Sequence, residues 1–167
     1  SHAGESRRPN TTGATIANTV RLDAEALAIG TAYTETASYF TYNTSLSIPA
    51  GSGGHTATQT CPVPPGVEFW FLTTRTHGHA SLATVRDGLG PLVQSPDWEH
   101  PAIQLFLPPA AYTFSASGLT YECVYDNPTG STIPSGNDPQ TEENCVGIGY
   151  FFPATRPLLC LDSTGPS

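Results

Sequence analysis

Glycine and proline cut this chain into runs too short for helices and well sized for strands. There are 16 of each in 167 residues, and between them apolar residues alternate with Thr, Ser and Asn. Residues 39–48 read this way, as do residues 119–125 and the run Val67-Glu68-Phe69-Trp70-Phe71-Leu72-Thr73-Thr74. Period-two alternation bounded by turn residues marks strands that bury one face. Pro49-Ala50-Gly51-Ser52-Gly53-Gly54, Pro64-Pro65-Gly66 and Arg86-Asp87-Gly88 supply turns. Further strands are expected over 20–26, 56–62, 92–94, 103–107 and 145–152, with the strand from Val67 continuing to about Val85. Neither an internal repeat nor a long helical period is present. The expected fold class is all-β: an antiparallel, jelly-roll-like β-sandwich.

The length suits a single domain over 14–167, preceded by a polar arm at 1–13 that carries Arg7-Arg8-Pro9. The arm is expected to serve self-association or contact with an extracellular partner. A net charge of −8 argues against nucleic acid, which requires basic patches. No apolar run approaches the roughly 18 residues of a membrane span. All six cations are Arg, and the lack of Met suggests a processed product. Four cysteines without a Cys-x-x-Cys spacing point to an oxidising compartment, secreted, extracellular or periplasmic, and to two disulfides. Spacing leaves the three pairings open.

The local cluster of metal-ligating side chains is in Arg75-Thr76-His77-Gly78-His79. On a continuing strand, side chains two apart share a face, which would align Arg75, His77 and His79. Two imidazoles suit Cu, Zn or Ni, but a complete site needs a third ligand from another strand. The competing reading is a polar strand end with two exposed histidines. Glu142-Glu143 and Asp97/Glu99 read as solvated loop acids, and no Gly-x-Ser-x-Gly elbow is present. Asn10-Thr11-Thr12 and Asn43-Thr44-Ser45 match the glycosylation sequon. Trp98, Tyr112 and Tyr125 are candidate aromatic platforms for a carbohydrate or peptide.

Five segments taken in order carry a resemblance. They are Phe69-Trp70-Phe71-Leu72-Thr73-Thr74-Arg75-Thr76-His77, Asp97-Trp98-Glu99-His100-Pro101, Tyr121-Glu122-Cys123-Val124-Tyr125-Asp126-Asn127, Thr141-Glu142-Glu143-Asn144-Cys145 and Gly149-Tyr150-Phe151-Phe152-Pro153-Ala154-Thr155. Together they resemble the C-terminal domain of the copper type II, ascorbate-dependent monooxygenases, over about residues 10–160. The family includes peptidylglycine α-hydroxylating monooxygenase and dopamine β-monooxygenase. The resemblance implies a jelly-roll-like sandwich with the pairs Cys61–Cys160 and Cys123–Cys145, each contributing roughly 3–5 kcal/mol in the chain-entropy model. It also implies one copper held by a His-x-His and a methionine thioether, with a second copper on a separate N-terminal domain.

At the ligand positions the chain departs from that pattern. The first histidine of the pair falls on Arg75, and only the second is kept, as His77. The methionine position is Asn144, and no methionine exists elsewhere. The family's His-Tyr-x-Asn segment appears as Arg7-Arg8-Pro9-Asn10. A guanidinium stays protonated and cannot ligate a metal. The expectation is a domain that has lost most of its copper ligands and its catalysis, with no cofactor, serving as a binding, structural or assembly module. The alternative is a rebuilt site in which His77, His79 and Asn144 hold Cu(II) or Zn(II).

Overall fold

The computed structural model describes residues 13–15, 17, 19, 21, 23–107, 109–115 and 118–161. The chain divides into two units, Ser1–Tyr33 and Thr34–Ser167. In the first unit every described residue is exposed and belongs to no strand or helix. The strand expected over 20–26 is therefore absent at Arg21 and at residues 23–26; Val20 and Leu22 lie outside the described residues. Alternation sets which face a strand would bury, but pairing requires a partner edge. Apart from Gly13, the arm at 1–13 also lies outside the described residues.

The second unit is built of β1 Ala37–Tyr42, β2 Ser47–Ile48, β3 His55–Cys61, β4 Glu68–Arg75, β5 Ala80–Asp87, β6 Gly90–Ser95, β7 Ile103–Leu105, β8 Leu119–Tyr125, β9 Ile133–Pro134, β10 Val146–Phe152 and β11 Leu158–Leu161. A five-stranded sheet runs β11-β1-β10-β4-β7 and a four-stranded sheet β3-β8-β5-β6, with β2-β9 as a small ribbon. Pairing is antiparallel except between β1 and β11. Among the described residues there is no helix. This is the expected all-β, sandwich-like fold.

Three expected strands are shorter or broken. The run 39–48 splits into β1 and β2 because the Asn43 Oδ1 accepts the Ser45 N–H at 3.0 Å, a side chain-to-backbone turn that ends the strand. The long strand from Val67 is in fact β4 and β5, joined by a turn at the histidines. The strand expected to reach Leu107 stops at Leu105.

Inward-facing Tyr39, Phe69, Leu72 and Phe151 of the five-stranded sheet form one core cluster with Val85, Leu119, Tyr121 and Tyr125 of the four-stranded sheet. The Phe69 ring stands edge-on to Tyr39 at 5.6 Å and to Phe114 at 5.0 Å. On β10 the inward positions ahead of Phe151 are Gly147 and Gly149, and the Phe69 ring fills the space over Gly149. Cys61–Cys160 ties β3 to β11, and Cys123–Cys145 ties β8 to the residue before β10. The first bond joins the two sheets and the second joins the four-stranded sheet to the segment leading into β10, in the pairing the resemblance implies.

Candidate functional site

At the end of β4, Thr74 is buried and its hydroxyl donates to Ser95 Oγ at 2.7 Å. Arg75 is exposed, and Thr76 and His77 are then both buried. The expected row of a cation and two open imidazoles does not form. Strand geometry stops at Arg75, and the chain turns, with the Ala80 N–H reaching the His77 carbonyl at 3.2 Å.

Glu143 makes that turn. Its carboxylate has no solvent exposure. Oε2 accepts the His77 N–H at 2.9 Å and the Asn144 N–H at 3.3 Å, and Oε1 accepts the His79 N–H at 2.7 Å. A buried carboxylate needs such donors in place of water. The sequence placed Glu142 and Glu143 together as solvated acids. Glu142 is half-buried, and Glu143 is a structural clamp. The signal that could have found it is its position directly before Asn144-Cys145 and an apolar strand.

The His77 ring is held at both nitrogens. Nδ1 lies 2.8 Å from the Glu142 carbonyl, which can only accept, so Nδ1 carries the proton. In the neutral imidazole Nε2 is then the acceptor, and the Asn144 Nδ2 donates to it at 2.9 Å. The Tyr125 hydroxyl, whose pKa is raised by burial and then by the Glu143 and Tyr121 charges, donates to the Asn144 carbonyl at 2.8 Å. The Asn144 Oδ1 is buried and has no hydrogen-bond partner among the described residues. A Cβ on Gly78 would stand 3.7 Å from the Trp98 ring, which packs over the turn.

The structure thus joins His77 and Asn144 directly. His79 shares the Glu143 clamp, but its Nδ1 lies 3.2 Å from the Asp126 carbonyl and is its donor. Arg75 forms no ion pair among the described residues. Ligand atoms around a tetrahedral ion bonded at about 2.1 Å sit roughly 3.4 Å apart, each offering a lone pair. Here the two nitrogens are closer and share a proton. Neither His77 nor His79 belongs to a group of three His, Cys, Asp or Glu ligand atoms within 4.8 Å of one another among the described residues. As placed, His77 and Asn144 are joined to each other by a hydrogen bond rather than spaced around a common ion.

Such a group does exist at Asp97, Glu99 and His100, all exposed. His100 Nδ1 pairs with the Asp97 Oδ2 at 2.9 Å, a hydrogen bond that is the main reason the Asp97 carboxyl is held below the usual range. The aromatic platforms are not open: Tyr125 is buried, and Trp98 and Tyr112 are half-buried. Asn43 of the second sequon is also buried, its Oδ1 committed to the turn; Asn10 lies outside the described residues.

Neither a protein-family model nor a curated protein sequence matches the chain.

Proposed function

We propose that this chain is a copper-monooxygenase-like domain in which a hydrogen-bonded pair has replaced the metal, leaving a non-catalytic binding or structural module of an extracellular assembly. One observation carries the reading: the Asn144 amide nitrogen lies 2.9 Å from His77 Nε2, the nitrogen of that ring not taken up by the Glu142 carbonyl. Arg75 at the other ligand position supports it, since a guanidinium repels a cation. The two disulfides are consistent with an oxidising compartment. No helix among the described residues is long and apolar enough to cross a membrane. Self-association or a partner contact through the N-terminal segment supplies the assembly role.

A rebuilt site of His77, His79 and Asn144 is the second reading, and the orphaned Asn144 Oδ1 is the observation in its favour. Metal analysis separates the two. The chain purified without chelator, then exposed to Cu(II) or Zn(II) and dialysed, is expected to retain no stoichiometric metal. One equivalent retained by the wild type and lost in His77→Ala would overturn the proposal in favour of the rebuilt site.

A further inference from the structure

Ten large apolar side chains are exposed among the described residues, and they are not scattered. Phe40, Tyr150, Leu159, Ile103, Leu105 and Leu107 lie on or beside the outer face of the five-stranded sheet. Leu27, Ile29 and Tyr33 lie in the first unit, leaving Leu89 alone elsewhere. An apolar face this continuous marks an interaction surface. A trough of about 350 Å³ crosses it, running from Arg75 on β4 past Ile148 and Phe40 to Leu159 and Leu161 on β11.

The trough has one cation, Arg75, with no ion pair among the described residues. In the first unit Arg21 pairs with Asp23 at 2.8 Å, which leaves Glu25 without an ion pair among the described residues. Leu27, two residues on, faces the same side as Glu25 in an extended chain. Ile29 follows in a turn closed by the Thr31 N–H on the Ala28 carbonyl at 3.1 Å. The two features match in length. From β4 to β11 is three strand spacings, about 14 Å, and an extended run from Glu25 to Ile29 spans about 13 Å.

We propose that the trough docks residues 25–29 of a second copy of this chain. Glu25 of one copy pairs with Arg75 of the other, and Leu27 and Ile29 cover Phe40 and Leu159. The segment crosses the strands rather than adding to an edge. This rests on the reading of the chain as an assembly module. It names the surface that does the assembling.

Charge-swap complementation of the full chain tests it, by light scattering after size exclusion at micromolar to roughly 0.1 mM protein. The wild type is expected to self-associate, and Glu25→Arg or Arg75→Glu alone to weaken association about five- to tenfold. An equimolar mixture of the two single variants restores every contact between copies, and association should return. A strictly monomeric wild type overturns the proposal. So does association indifferent to both swaps, which would point to edge pairing. So does rescue by both swaps in one chain without rescue by mixing, which would place the contact within a chain. Metal content of the same samples reports separately on the His77 site, so failure of the docking surface and failure of the non-catalytic reading are distinguishable.

Discussion

Two carboxylates among the described residues are buried, and each survives because hydrogen-bond donors replace its water. Glu143 takes three backbone N–H groups and shapes the turn that carries His77 and His79. Asp87, at the end of β5, accepts the Ser115 N–H and hydroxyl, both at 2.6 Å, the Tyr112 hydroxyl at 3.1 Å and the Leu89 N–H at 3.2 Å. Burial pushes the Asp87 pKa up, but these bonds outweigh it and hold the carboxyl below its usual range. A depressed folded-state pKa contributes stability above the unfolded value, and that contribution is lost as pH falls through the folded one. Asp87→Asn cannot accept at both oxygens and is expected to cost about 2–3 kcal/mol at neutral pH in urea unfolding. The gap between wild type and variant should narrow as pH drops below about 4. A gap that widened with acid, or stayed constant to pH 2, would show that the ionised form is not the stabilising one.

At the scale of the element, β10 is held by what packs on its glycines. A Cβ on Gly149 would lie 2.7 Å from two atoms of the Phe69 ring and 3.1 Å from Leu72 Cδ2. Gly149→Ala is therefore expected to destabilise by about 1–3 kcal/mol through overpacking. In a Phe69→Leu background the same substitution should cost less, and a double-mutant cycle measures that relief. Purely additive costs would assign the glycine to backbone freedom rather than to the ring. β10 and β8 were legible in the sequence because their apolar runs end at turn residues and pair inside the sandwich. The His77–His79 turn was not, since Glu143 creates it from more than sixty residues away while the local pattern still reads as strand. Asn144 was singled out only through the family resemblance; no spacing rule places an amide on an imidazole more than sixty residues away. The run at 20–26 differs in the opposite way: its alternation is sound, but Arg21 and residues 23–26 form no strand.

At the scale of the molecule, the second unit is two sheets held face to face by a shared core and two covalent ties, and the ties are not equivalent. Composition foresaw two disulfides, but three pairings were open until the resemblance chose one, because pairing depends on which sheet each strand joins. Cys61–Cys160 closes a span of 99 residues and Cys123–Cys145 one of 22. The unfolded chain loses more freedom when the longer loop is closed, about 4.7 against about 3.4 kcal/mol in the chain-entropy model. All four cysteines are buried, so replacing either pair by alanine leaves comparable gaps. Cys61→Ala/Cys160→Ala is then expected to lower the denaturant midpoint more than Cys123→Ala/Cys145→Ala, by roughly 1 kcal/mol in unfolding free energy. The shorter loop has a second role that could reverse this order, since Cys145 directly follows the Glu143–Asn144 clamp. If the Cys123–Cys145 pair proves the costlier to remove, the clamp and not chain entropy governs its worth. Amide exchange at His77 and His79 decides between them: protection kept in the Cys123→Ala/Cys145→Ala variant supports the entropic account, and protection lost supports the clamp.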